Sequence, residues 1–123
     1  MDSWAWVEYL LSSDSGRKVK EIIDDENYNV FTHVLSLAEI SSRLSRAGSE
    51  HQRHIDSIVE VSEIIGVEFS ISPRAGNLHA EIRKKISDFG LVDAFILLAA
   101  QENGMKILTG DKHFKGMKEA VLI

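Results

Sequence analysis

Short apolar segments alternate with longer segments of helical periodicity along most of this 123-residue chain, and this alternation restricts the possible folds more than any other feature. We predict strands at residues 28–33, 67–71, 106–109 and 120–123. Short apolar strands separated by helices are typical of a parallel sheet. The sequence therefore predicts an α/β protein, an open parallel sheet flanked by helices.

Helices are predicted where apolar residues recur at helical spacing, and glycines mark several of their ends. The predicted helices span residues 3–12, 15–25, 36–47, 50–65, 73–87 and 91–102. A chain of this length buries roughly two-thirds of its unfolded surface as one domain. We therefore expect a single domain over residues 1–123.

Four acids occupy the points where a predicted strand would hand over to a helix. They are Asp2, Glu39, Asp93 and Asp111. In an open α/β sheet, residues at the carboxyl ends of the strands gather in one crevice. Four carboxylates there repel each other unless a cation lies between them, and oxygen ligands suit Mg²⁺ or Mn²⁺. The pattern predicts a divalent metal site.

Each acid also has a purely structural interpretation. Ser36 and Glu39 fit the S-x-x-E capping box. Asp93 lies in the first turn of a predicted helix, where the helix dipole favours acids, although a lone charge beside so many apolar neighbours is costly. Asp111 fits a turn or an N-cap, and Asp2 fits an N-cap or a disordered terminal residue. Only the combination of all four acids favours the metal site.

The net charge of −5 bears on the class of partner. General nucleic-acid binders are usually basic, so an acidic chain argues against that class. The four candidate ligands account for most of this charge, however, and bound metal would offset it. The acidity is therefore only weak evidence against a phosphodiester substrate.

Cysteine is absent, and the chain lacks both a secretory signal and an apolar run of the ~20 residues that a membrane span needs. These features exclude disulfides and thiolate metal sites, and they fit a reducing compartment. We expect a cytoplasmic protein that makes no membrane contact.

Four segments resemble a PIN-domain protein of the kind found in VapC-type toxins, and they agree in order and spacing over nearly the whole chain. They are DSWAW at residues 2–6, SLAEI at 36–40, GLVDAFILLAA at 90–100 and ILTGDKHF at 107–114. The resemblance implies a metal-dependent endoribonuclease whose catalytic, metal-binding residues are the four acids. It also implies an antitoxin partner for many members, and a homodimer.

The chain departs from that family at its start. Members begin with a short hydrophobic strand that leads into the first aspartate, whereas only Met1 precedes Asp2 here. The first strand is thus missing or truncated in the predicted fold. We expect a chain start that is placed too late rather than an inactive copy, because the acids further along the sequence are intact.

The roles of the individual acids are only partly separable. Asp2, Asp93 and Asp111 are the primary predicted ligands, with Mg²⁺ or Mn²⁺ activating a water and neutralising phosphate charge. For Glu39, three roles stay open: binding a second metal, holding a metal-bound water, or acting as the base.

Several other side chains are candidates for supporting roles. The hydroxyls of Ser3 and Thr109 are predicted to donate to the carboxylates, with ordinary turn hydroxyls as the alternative. Arg43 and Lys112 are predicted to contact the phosphates of RNA. His113 is interpreted as a polar loop residue within reach of the mouth of the site.

The predicted function is hydrolysis of RNA phosphodiesters by the toxin of a toxin–antitoxin pair. One alternative is an RNA-processing nuclease outside such a system. Another alternative is a non-catalytic PIN-like binding or scaffold module.

Overall fold

A computed structural model describes residues 1–123. It contains six α-helices, one short 3₁₀ helix and four strands, and every strand pair is parallel. The predicted α/β class and the parallel strand direction are confirmed. The backbone forms two compact units, Met1–Ile65 together with Ile123, and Gly66–Leu122. No helix has the length and the apolar character needed to cross a bilayer.

The first unit consists of four helices and one two-stranded ladder. In chain order its elements are α1 (Ser3–Leu10), α2 (Asp14–Asp24), β1 (Phe31–His33), α3 (Val34–Arg46), α4 (His51–Val61) and β2 (Glu63–Ile65). The β1 and β2 strands run parallel, with Thr32 opposite Ile64. Its two strands are joined through α3 and α4, because parallel strands need a crossover connection.

The core of the first unit is built around Trp6, Ile40 and Ile58, which are all fully buried. We expected Trp4 in the core and Trp6 at a subunit contact, and this expectation was wrong for Trp6. Trp6 lies on the inner face of α1, whereas Trp4 is only half-buried.

A chain of side-chain hydrogen bonds crosses this core. Trp6 Nε1 donates to Thr32 Oγ1 at 3.0 Å, and Ser62 Oγ donates to the Ile58 carbonyl at 2.8 Å. Thr32 Oγ1 and Ser62 Oγ lie 2.8 Å apart. Because the single hydroxyl proton of Ser62 is used on Ile58, Thr32 is the donor to Ser62. Every polar group along this path therefore has a partner.

The second unit has two longer helices and a second ladder. Its elements are α5 (Ile71–Arg83), α6 (Leu91–Asn103), β3 (Ile107–Thr109), the 3₁₀ helix η1 (Lys112–Phe114) and β4 (Ala120–Leu122). β3 and β4 pair in parallel, with Leu108 opposite Val121. The core of this unit collects α6 around the rings of Phe89 and Phe114.

The strand predicted at residues 67–71 is wrong. The second strand is instead β2, which lies inside the stretch 50–65 that was predicted as one helix. Ser62 turns the chain from α4 into extended backbone, and the N–H of Glu63 then donates to the Val30 carbonyl at 2.9 Å. Phe69, central to the predicted strand, is 93% exposed. Pairing with β1 therefore decided which segment became the strand.

Candidate metal centre

Two of the predicted acids lie together in the second unit. The side chains of Asp93, Asp111 and His113 each offer one ligand atom, and these atoms lie within 4.8 Å of one another. Asp93 comes from the first turn of α6, and Asp111 and His113 follow β3. All three residues are half-buried, so the group is shielded in part but open to solvent.

The backbone after β3 places the Asp111 carboxylate. The Asp111 N–H donates to Thr109 Oγ1 at 2.9 Å, and Asp111 Oδ1 accepts from the His113 N–H at 2.8 Å. The structural interpretation of Asp111 as an N-cap is thus confirmed, since it caps η1. Thr109 is fully buried, and this hydrogen bond fixes the backbone that carries Asp111. The predicted donation from Thr109 to a carboxylate stays a prediction.

The His113 ring bridges two carboxylates. Its Nδ1 lies 2.8 Å from Asp111 Oδ1, and its Nε2 lies 2.9 Å from Asp88 Oδ2. These contacts raise the pKa of His113, the Asp88 hydrogen bond most and the Asp111 hydrogen bond next. The same contact with His113 lowers the pKa of Asp88. Sequence reasoning missed Asp88 entirely, because a single aspartate in a turn carries no motif.

Asp93 sits against a residue without a side chain. Gly90 is the N-cap residue of α6, and a Cβ built on it would lie 2.8 Å from Asp93 Oδ2. The missing Cβ therefore leaves the space that the carboxylate occupies. Beyond Asp93, α6 is almost wholly apolar, and Ala94, Ile96 and Leu97 are buried. The charged group is thus held at the margin of the core.

Asp2 is buried in the first unit, with 3% of its surface exposed. Its Oδ1 accepts from the Ala5 N–H at 2.9 Å, which confirms the interpretation of Asp2 as the N-cap of α1. The Met1 nitrogen donates to the Phe31 carbonyl at 2.7 Å. The alternative of a disordered terminal residue is therefore wrong. Ser3, the first residue of α1, is half-buried.

The capping-box interpretation of Glu39 is also wrong. The N-cap of α3 is His33, whose Nδ1 accepts from the Leu35 N–H at 3.1 Å. Burial, together with the N-terminal charge, lowers the pKa of His33 and so favours the neutral ring that can accept this bond. Ser36 lies inside the helix, where its buried hydroxyl has no hydrogen-bond partner. Glu39 is exposed on α3 and has no role in capping it.

The two candidate phosphate-binding cations are both exposed. Arg43 lies one helical turn after Glu39 on α3, and Lys112 is the first residue of η1. Each charge is therefore accessible to a large polyanion. Their assignment to RNA contacts stays a prediction.

The sequence matches the PIN domain family over residues 1–120. The chain belongs to the PIN domain family. Among solved structures, this PIN domain is similar to a chain of a toxin–antitoxin complex from Klebsiella pneumoniae, with a TM-score of 0.69 and 21% sequence identity. The alignment covers 98% of this chain and 92% of the other. At this identity the likeness supports the shared fold. No curated protein matches the sequence.

The donor set of this PIN domain fits a divalent cation. Two carboxylates and an imidazole lie close enough to contact one ion, and carboxylate oxygens are the ligands that Mg²⁺ and Mn²⁺ prefer. PIN domains generally use divalent metals, and the carboxylate cluster that such an ion needs is present.

Proposed function

We propose that this PIN domain is an endoribonuclease that uses Mg²⁺ or Mn²⁺ to hydrolyse RNA phosphodiesters. The observation that carries the proposal is the approach of Asp93 and Asp111 at the ends of α6 and β3. Two carboxylates held this close repel each other, and the fold tolerates that repulsion at a point partly open to solvent. PIN domains are generally metal-dependent nucleases, which agrees with this arrangement.

The proposed roles of the acids follow from their different surroundings. Asp93 and Asp111 hold the metal together, and Asp2 is proposed as a further ligand, its position fixed by the cap on α1. Glu39 is exposed and free of any capping duty, so it is proposed to act on water, as a base or through a second ion. The bound ion supplies Lewis acidity that lowers the pKa of the attacking water and offsets phosphate charge.

The proposed substrate contacts involve the exposed cations. Arg43 and Lys112 are proposed to bind RNA phosphates, and such contacts position the strand without reading its sequence. Ser3 and Thr109 are proposed to orient the carboxylates, Thr109 through the backbone of Asp111.

We further propose that the protein is the toxin of a toxin–antitoxin pair, acting in the cytoplasm as a homodimer. The support is the fold shared with a chain of the Klebsiella pneumoniae toxin–antitoxin complex. Expression in a bacterial host is expected to arrest growth with the wild type but not with Asp111→Asn. Growth that is equal for both proteins would favour the alternative of an RNA-processing nuclease outside a toxin–antitoxin system.

The enzymatic proposal is tested by cleavage of a fluorescent single-stranded RNA. Wild type is expected to cleave with Mn²⁺ or Mg²⁺ and to stop when EDTA is added, whereas Asp93→Asn and Asp111→Asn are inactive. Asp56→Asn is the matched control, because Asp56 is an exposed acid on α4 that accepts only from Gln52. Cleavage that persists in EDTA or in both acid variants would contradict the proposal.

A further inference from the structure

The contacts of His113 do not suit a metal ligand. Both ring nitrogens lie within hydrogen-bond distance of a carboxylate oxygen, Nδ1 of Asp111 and Nε2 of Asp88. A ring nitrogen that donates a proton to an oxygen has no lone pair for a metal. His113 is therefore placed between two acids, although it belongs to the tight group with Asp93.

The two donors of His113 converge on one oxygen. The backbone N–H and the ring Nδ1 of His113 both lie 2.8 Å from Asp111 Oδ1. Two donors on the same oxygen fix the rotation of the carboxylate about its last bond. The other oxygen, Oδ2, is then the one that is oriented for a metal.

The second carboxylate is attached to a rigid part of the core. Asp88 immediately precedes Phe89, and His113 immediately precedes Phe114. The two rings are almost fully buried and meet edge to face, with centroids 5.8 Å apart and planes at 72°. Their packing holds the two backbone segments together, so Asp88 can fix the far side of the His113 ring without being buried itself.

We propose that Asp88 and His113 form a positioning pair that orients the Asp111 carboxylate for the divalent ion, and that His113 is not itself a ligand. The inference rests on the proposed metal-dependent function. Groups that orient metal ligands in this way commonly affect metal affinity by about 10–100-fold.

The first test measures Mn²⁺ affinity by calorimetry on the full chain. Asp88→Ala and His113→Ala are expected to weaken binding by about 10–100-fold, while Asp88→Asn retains an acceptor oxygen and keeps more of the affinity. Asp88 is 67% exposed at its side chain, so its replacement leaves the fold intact. Asp56→Asn is again the control and is expected to bind as wild type does.

The outcomes separate the inference from the proposed function. A wild type that binds no Mn²⁺ overturns the proposed function together with the inference. Normal binding by wild type, with equal affinity in Asp88→Ala and His113→Ala, overturns the inference alone.

The second test separates orientation from coordination. Pulsed electron paramagnetic resonance of bound Mn²⁺ detects nitrogen in the coordination sphere. The inference predicts no directly coordinated nitrogen in the wild type. A coupling from a coordinated imidazole nitrogen that disappears in His113→Ala would make His113 a ligand and overturn the inference.

Discussion

Asp111 Oδ1 receives both the backbone N–H and the ring Nδ1 of His113, each at 2.8 Å. The carboxylate that the sequence singles out is therefore already oriented before any cation is bound. Orientation of this kind lowers the cost of assembling a metal site, because fewer side-chain rotations are lost on binding. The expected consequences concern the site first and then the fold that supports it.

Gly90→Ala is expected to weaken Mn²⁺ binding while changing the free energy of unfolding by less than about 1 kcal/mol. The new methyl group would meet Asp93 Oδ2 at 2.8 Å, and the end of a flexible side chain can move aside. Calorimetry and a chemical melt measure the two effects. Gly76→Ala is the control, because a Cβ there meets nothing within 4 Å. Unchanged affinity in Gly90→Ala would mean that the exact position of Asp93 is unimportant.

Glu39→Gln is expected to slow RNA cleavage by about 10²–10⁴-fold, the usual contribution of a general base. Its exposure on α3 and the separate N-cap at His33 predict a free energy of unfolding within about 0.5 kcal/mol of wild type. Glu60→Gln, at an exposed glutamate of α4, is the matched control. An active Glu39→Gln enzyme at full rate would remove Glu39 from the site.

Thr32→Val is expected to destabilise the first unit by about 1–3 kcal/mol, because the buried Trp6 N–H loses its acceptor. Valine has nearly the same shape, so the loss reports the hydrogen bonds rather than a cavity. Thr32→Ser keeps the hydroxyl and is expected to lose less. Chemical denaturation compares the three proteins, and equal stability of the valine and wild-type proteins would contradict the described hydrogen-bond chain.

Gly16→Ala is expected to destabilise the protein by about 1–3 kcal/mol or more through overpacking. A Cβ at residue 16 would lie 2.0 Å from the Glu8 carbonyl oxygen, so the backbones of α1 and α2 must separate. Gly76→Ala, inside α5, is the opposite control and is expected to stabilise by about 0.5–1 kcal/mol. A thermal melt that ranks Gly16→Ala at or above wild type would contradict the close approach of these helices.

The sequence predicted the site better than it predicted the strands. The α6 helix and the β3 strand were recognised because each is a strongly apolar segment with clear ends, and both of their acids lie where they were expected. The strand expected at residues 67–71 failed because β propensity depends on a partner. Glu63–Ile65 pairs with β1, whereas Phe69 is exposed to solvent.

Local motifs were misleading where another residue competed for the same role. Ser36 and Glu39 match a capping box, but His33 caps α3 two residues earlier in the chain than the first predicted helical turn. A histidine is a less usual cap than a serine, so the pattern alone favoured the wrong residue. Asp88 was missed for a different reason, since its contact with His113 depends on the packing of Phe89 against Phe114.

The central claim is that Asp93 and Asp111 bind a divalent cation together. Calorimetric titration of the metal-free protein with Mn²⁺ tests it most directly, with Asp93→Asn and Asp111→Asn beside the wild type. Both variants keep the side-chain shape, and removing one of two like charges is expected to leave the metal-free fold equally stable or more stable. We predict clear binding by wild type and a large loss of affinity in each variant. Equal affinity in all three proteins would contradict the account.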